Sequence, residues 1–167
     1  MRKFSIAGVI AILVAFGGAA LARGDSAESS KGKSSAKVIK VFGKVAQIKL
    51  IDLGDPGFSL GDEAVFSDDL LTEKNGKTVG LDGGVCTVIR VADASTQAGT
   101  LQCLVTFSLK QGQIATQSLS TVTNGQFTGT QASAITGGTG RYRKAAGEVT
   151  IEFVSNAEVN VTLSIRK

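Results

Sequence analysis

The sixteen residues AITGGTGRYRKAAGEV, from Ala134 to Val149, decide which kind of protein this sequence encodes. Three of the four residues from Gly137 to Gly140 are glycine, and a strand-like run follows them. A phosphate-binding loop needs backbone N–H groups at the start of a following helix, and usually a Gly-Lys-Ser/Thr sequence. Neither is present here, because AAGEVTIEFV has the pattern of a strand. The segment is therefore predicted to be a turn between two strands, with glycine where φ must be positive.

The rest of the chain repeats this alternation of strand and turn. From Val38 onward, short runs of Val, Ile, Thr and Phe are separated by glycine-rich turns, and no stretch keeps the apolar spacing of a helix. Tight turns at Lys110-Gln111, Asn124-Gly125 and Ser155-Asn156 join neighbouring antiparallel strands. The predicted strands cover residues 38–53, 62–71, 78–92, 99–109, 112–122, 125–135, 145–154 and 157–166. Eight such strands predict an all-β, up-and-down antiparallel barrel, because closure removes the unpaired edges.

The N-terminus has the order of a secretory signal peptide. Arg2 and Lys3 precede a short apolar run and a small-x-small ending, which predicts a signal peptide over residues 1–22. An uncleaved anchor is the alternative, although the apolar run is short for a bilayer span. Residues 23–37 lack large apolar side chains and are interpreted as a flexible spacer. A barrel domain over residues 38–167 follows, and the protein is expected to be secreted or periplasmic, without a membrane partner after cleavage.

Charge gives no support to a nucleic-acid partner. The whole chain has 18 basic and 14 acidic side chains, and removal of the two basic residues of the signal peptide leaves 16 against 14, a net charge of +2. No Lys/Arg cluster is interleaved with aromatic residues, as nucleic-acid binding would require.

The two cysteines test the predicted strand layout. If the hairpin between them turns symmetrically near Ala94-Ser95, Cys86 and Cys103 lie directly opposite each other on neighbouring strands. In an exported protein a disulfide between them is favoured over two free thiols.

The same register defines one face of this hairpin. Asp82, Gly84, Val88 and Arg90 share the face of Cys86, opposite Leu101, Val105 and Phe107. A mostly apolar face with a few charges is typical of a ligand-binding interior, but it is also compatible with a plain core that has Asp82 and Arg90 at its wet ends. Val85, Ile89 and Val91 would then lie outside, where they could pack against another subunit.

The chemistry available to this chain is narrow. With no histidine, neither a Ser/His/Asp triad nor a His-based metal site can form, so no metal or cofactor is predicted. The neighbours Asp68 and Asp69 point to opposite faces of a strand and cannot share a site; a strand end or turn is the expected role. Asp62-Glu63 fails as a pair for the same reason. Catalytic residues are left unassigned.

Four blocks of sequence resemble a known family. They are LGDEAVFSDDLL (60–71), TVGLDGGVCTVIR (78–90), GQIATQSL (112–119) and the glycine segment 134–149. In this order they are similar to the allene oxide cyclase barrel family, whose relatives include the dirigent proteins. The resemblance implies an eight-stranded barrel that binds an apolar small molecule in its cavity and steers cyclisation or coupling by positioning it. It also implies assembly into a dimer or trimer.

Candidate site residues come partly from the resemblance. Aligned on DLGDP (52–56), the polar pair of the cyclases falls at Gln47 and Lys49, and Pro56 matches. Asp82 or Asp52 is what the chain offers in place of the dirigent aspartates, and Cys86 matches a cavity cysteine. The candidate ligand-binding set is Gln47, Lys49, Pro56, Asp82, Val88, Arg90, Val105 and Phe107.

Two functions follow from this reasoning. The first is a secreted barrel that binds an apolar small molecule, with isomerase or cyclase activity an open question. The alternative is a non-catalytic structural or interaction protein whose barrel is filled by its own side chains. An internal cavity of at least about 300 Å³ would favour the first.

Overall fold

Nine antiparallel strands form one closed sheet in the computed structural model, which describes residues 36–166. The strands are β1 (Lys37–Ile51), β2 (Glu63–Leu71), β3 (Thr78–Asp93), β4 (Ala98–Leu109), β5 (Gly112–Thr123), β6 (Gln126–Phe127), β7 (Thr130–Gly138), β8 (Ala146–Ser155) and β9 (Glu158–Arg166). Each long strand pairs with the next along the chain, and β1 pairs with β9 to close the ring. The predicted up-and-down barrel of eight long strands is confirmed. The predicted signal peptide and spacer residues 23–35 lie outside the described residues.

The predicted sixth strand is divided in two. β6 has only two residues, and β7 begins after Thr128-Gly129, where Gly129 has a φ of +68°. The carbonyl of Gly129 accepts a hydrogen bond from the backbone N–H of Phe153 at 3.0 Å, which holds the break against β8. The turn before β6 is built as predicted, since Asn124 and Gly125 both have positive φ.

The β3–β4 hairpin pairs Cys86 with Cys103, as predicted, and the two form a disulfide. The register then shifts twice, between Val88 and Arg90 and again after Val91. Each shift is a β-bulge, which adds one residue to β3 and reverses the alternation of inside and outside. Arg90 is consequently exposed, and Val91 packs inward against the disulfide cluster, so the prediction that placed Arg90 inside and Val91 outside was wrong.

One half of the barrel is filled by large side chains. The interior there is packed by side chains that are at most 1% exposed, namely Leu70, Phe107, Ile114, Val149, Leu163 and Ile165. The other half has a smaller cluster around the disulfide, formed by Cys86, Val88, Leu101, Cys103 and Val122. The barrel is therefore a solid core at one end and an open interior at the other.

The glycine segment closes the filled end. Gly138 ends β7, and a single 3-10 turn, Gly140–Tyr142, leads into β8. Tyr142 is 4% exposed and belongs to the core, while Arg141 and Arg143 are exposed. The segment is a turn, as predicted, and the side chain of its tyrosine fills the end of the barrel. Among residues 36–166, no helix is long and apolar enough to cross a membrane.

Candidate functional site

The unfilled half of the barrel encloses a cavity of about 140 Å³. It exists because the side chains that line β2, β5 and β7 at this level include small ones. Ala64, Ser118, Ser120 and Ser133 stand where the filled half has residues such as Phe107. Most of the remaining lining is apolar and includes Phe66, Val105, Phe127, Ile151, Phe153, Val159, Val161 and the two disulfide-bonded cysteines.

Two aspartates lie at the inner end of this cavity. Asp68 on β2 is directly opposite Asp82 on β3 in the antiparallel register. They are the lining residues of their strands that lie nearest the filled core, because Leu70, the next inward residue on β2, is already part of that core. Asp68 is 8% exposed and Asp82 is 3% exposed. Within residues 36–166, the Oδ1 atom of each has no hydrogen-bond partner. In the part of the chain that the structure describes, neither aspartate forms a salt bridge.

The electrostatics of the pair follow from this burial. Desolvation, followed by the negative charge of Asp68, raises the pKa of Asp82 to about 8. Desolvation also raises the pKa of Asp68, opposed by the hydrogen bond that it accepts from Asp82 and reinforced by the charge of Asp69. Burial therefore favours retention of a proton by the pair, with Asp82 as the donor of the hydrogen bond that Asp68 accepts.

Aromatic and polar side chains surround the outer part of the cavity. The rings of Phe127 and Phe153 stack with their centroids 5.3 Å apart. Glu158 also lines the cavity, and its carboxylate accepts a hydrogen bond of 2.8 Å from the Lys74 ammonium. An exposed ion pair of this kind contributes little to stability.

The loop between β1 and β2 packs Phe58 against the disulfide cluster. Asp62 organises this loop by accepting hydrogen bonds from the backbone N–H groups of Leu53 at 2.8 Å and Ser59 at 2.6 Å. These two bonds lower the pKa of the Asp62 carboxyl. Asp62 is therefore a structural residue of the loop.

The structure brings together some of the residues that the sequence selected. Asp82, Val105 and Phe107 line the cavity, and Val88 is buried in the disulfide cluster beside it. The others are exposed and do not line the cavity: Gln47, Lys49, Pro56 and Arg90. Their role in binding stays a prediction. Among the described residues, no group of three Cys, Asp or Glu side chains could hold a metal ion.

Sequence reasoning missed the partner of Asp82. Asp68 and Asp69 do point to opposite faces, since Asp68 is buried and Asp69 is exposed, but neither lies in a turn. The inward aspartate pairs across strands, with a residue fourteen positions later in the chain. The β2–β3 register contained the signal, because the hairpin that pairs Glu63 with Thr87 also pairs Asp68 with Asp82.

Comparisons with known proteins agree with this architecture. The family described as allene oxide cyclase barrel like domain matches residues 43–164. No curated protein sequence matches the chain. Among solved structures, a pyocyanin demethylase is 32% identical, with a TM-score of 0.67, over 77% of this chain and 99% of that chain.

Two further solved structures share the fold at lower identity. A pterocarpan synthase dirigent protein is 18% identical, with a TM-score of 0.60, over 86% of this chain and 96% of that one. A Diels-Alderase from Streptomyces koyangensis is 17% identical, with a TM-score of 0.63, over 82% of this chain and 70% of that one.

Proposed function

Since the chain belongs to the allene oxide cyclase barrel-like family, as its sequence blocks predicted, we propose that it binds a small planar molecule in the barrel cavity and shifts a proton on it. The observation that carries the proposal is the Asp68–Asp82 pair, two buried carboxyl groups at the inner end of an otherwise largely apolar cavity. Burying such groups is costly, and natural proteins retain that cost mainly where the groups have a function.

The pair has the properties of a general acid and a general base. At neutral pH Asp82 carries a proton that it can donate to one atom of a ligand, while Asp68 can accept a proton from another atom. The ligand then gains one proton and loses one, so it is isomerised without an oxidant or a cofactor. The shared hydrogen bond returns the proton from Asp68 to Asp82, which restores the starting state. Such a step matches the predicted isomerase or cyclase class.

The size and lining of the cavity support a ligand with one aromatic ring, and a second fused ring requires the cavity to widen. The volume of about 140 Å³ is below the roughly 300 Å³ that was expected to favour a small-molecule site, but it is close to that of an engineered apolar cavity that binds benzene. The rings of Phe66, Phe127 and Phe153 offer faces for stacking. The pyocyanin demethylase, named for its action on pyocyanin, supports an aromatic ligand. Pyocyanin is larger than this cavity, so its binding would require lining side chains to move.

The test combines binding with proton exchange, using 1-naphthol as the probe. The chain has no tryptophan and a single tyrosine, so naphthol fluorescence can report binding with little background. Proton exchange is followed in D₂O by NMR, as loss of the ring C–H signals of 1-naphthol at the positions that its keto tautomer labilises. Pyocyanin is titrated in parallel by its visible absorbance.

We expect the wild-type protein to accelerate the exchange and both Asp68→Asn and Asp82→Asn to lower that acceleration by at least about 100-fold, the usual scale of general acid–base catalysis. Asp69→Asn is the matched control, because Asp69 is the exposed neighbour on the same strand. Failure of every aromatic probe to bind would instead favour the structural, non-catalytic barrel. Binding with no exchange above the buffer rate would refute the acid–base role alone.

A further inference from the structure

Three serines form a polar wall inside the cavity. Ser118 and Ser120 on β5 and Ser133 on β7 line it, and Ser120 and Ser133 are each 5% exposed. We call these three residues the serine wall. Serine hydroxyls at interior positions of a barrel are costly unless they are hydrogen-bonded.

The strands that carry the serine wall separate at this level of the barrel. The pairing between β5 and β7 runs from Ile114 opposite Gly138 to Gln117 opposite Ala134 and is not continued beyond that pair within the described residues. Ser118, Ser120 and Ser133 therefore lie just past the end of the ladder. The wall combines polar side chains with the place where β5 and β7 stop pairing with each other, although β5 stays paired with β4 and β7 with β8.

The hydrogen bonds within the serine wall leave at least one hydroxyl donor unused. The hydroxyls of Ser118 and Ser120 contact each other at 3.3 Å, and either can be the donor. Two hydroxyl groups have two protons, and one mutual bond uses one of them, so at least one donor is free. By contrast, Thr116 on the same face donates to the carbonyl of Val105 at 3.2 Å and has no proton left to offer. The unused hydroxyl donor of β5 therefore lies where the strand lines the cavity.

One residue of the serine wall lies across the barrel from one residue of the acid pair. In the ring order β4-β3-β2-β1-β9-β8-β7-β5, strands β2 and β7 are four strands apart in either direction. Asp68 and Ser133 are therefore on opposite walls of the cavity that both of them line. A flat ligand that spans the cavity between these two walls would meet Asp68 at one edge and Ser133 at the other, with Asp82 beside Asp68 and Ser118 and Ser120 on the strand next to Ser133.

We propose that the serine wall recognises an oxygen substituent, a phenolic hydroxyl or a ring carbonyl, on the aromatic ligand and thereby turns the opposite edge toward Asp68 and Asp82. This inference rests on the proposed function. It assigns the ligand class as oxygen-bearing aromatics, and it assigns Ser118, Ser120 and Ser133 as the residues that determine specificity. They position the ligand, and the aspartates exchange the proton.

The test compares two ligands that differ by one oxygen. Affinities of naphthalene and 1-naphthol are measured by ligand fluorescence for the wild-type protein, for each serine-to-alanine variant and for the triple variant. One or two neutral hydrogen bonds predict that wild type binds 1-naphthol about 3- to 30-fold more tightly than naphthalene. In the triple variant this ratio should fall to about one, with naphthalene binding retained. Ser164→Ala is the control, since Ser164 lies between the buried Leu163 and Ile165 and so faces outward.

The outcomes separate this inference from the proposed function. A wild-type protein that binds both ligands equally, or a triple variant that keeps the preference for 1-naphthol, overturns the serine wall and leaves ligand binding intact. A wild-type protein that binds neither ligand overturns both. If the triple variant does not fold, the single variants decide, because Ser133→Ala or Ser118→Ala should each reduce the ratio while Ser164→Ala does not.

Discussion

Replacing Asp82 by asparagine should stabilise the folded barrel at neutral pH. The folded state raises the pKa of Asp82 from 3.8 to about 8, so this side chain keeps its proton in the barrel and loses it in the unfolded chain over the interval between those values. The folded state therefore binds one more proton, and the free energy of unfolding falls as the pH rises. The stability associated with the protonated group is fully present below pH 3.8 and is lost as the pH approaches 8.

The size of the effect follows from the width of that interval. Each pH unit costs about 1.4 kcal/mol, and pH 7 lies about three units above 3.8, so the accumulated cost is on the order of 4 kcal/mol. Asparagine has nearly the same shape, does not ionise, and can donate one hydrogen bond from Nδ2 to Asp68. Its own burial consumes part of the gain, which leaves about 2 to 4 kcal/mol at pH 7, or roughly 5 to 15 °C in Tm for a domain of this size.

Thermal melts between pH 5 and pH 8 provide the assay. This window is informative because the chain has no histidine, the side chain that would otherwise titrate there. Tm of the wild-type protein should fall as the pH rises, Asp82→Asn should flatten the curve, and Asp69→Asn should leave the slope unchanged. A wild-type Tm independent of pH in this window would refute the buried-proton argument, and so would a slope that survives in the Asp68→Asn, Asp82→Asn double variant.

Two further predictions concern the scaffold. Gly138→Val should abolish or severely weaken folding, because a Cβ at Gly138 would lie 2.7 Å from the carbonyl oxygen of Tyr142 and would also collide with that of Gln113. Tyr142→Phe should change Tm by far less and leave naphthol affinity unchanged. If Tyr142→Phe instead reduced naphthol affinity more than Gly138→Val reduced Tm, the glycine segment would be a functional site. Replacing Cys86 and Cys103 together by alanine should cost roughly 3 kcal/mol from the loss of a cross-link that spans 17 positions, measured by denaturant unfolding, and an unchanged midpoint would contradict the chain-entropy estimate.

The acid pair also explains why stability and function should conflict in this barrel. Asp68 and Asp82 destabilise the fold at neutral pH, yet they lie at the inner end of its mostly apolar cavity. Variants that improve Tm at these two positions are therefore expected to lose proton exchange, as is common where a site is built from buried charges.

Local patterns in the sequence were sufficient for the architecture. The alternation of apolar and polar residues, the glycine turns and the Asn124-Gly125 hairpin signal determined the strands, their antiparallel order and the closure of the barrel. The Cys86–Cys103 pairing was predicted from a symmetric turn near Ala94-Ser95, and it holds because the two bulged residues of β3 offset the actual position of the turn at residues 94–97. These features depend on contacts between neighbours along the chain, and side-chain alternation with a period of two encodes them directly.

The site depended on features that such patterns do not encode. A bulge adds one residue to a strand and has no distinct signature in the sequence. The bulge after Val88 nevertheless places Arg90 outside the barrel and turns Val91 inward. Asp68 became a site residue only through its register against Asp82, and the serine wall only through the end of the β5–β7 ladder. Which half of the barrel is filled depends likewise on the volumes of the inward-facing side chains from all the strands. Alternation along the chain therefore identifies the strands that build the barrel, but the side chains that meet inside it come from strands distant along the chain, so their contacts form only when the barrel closes.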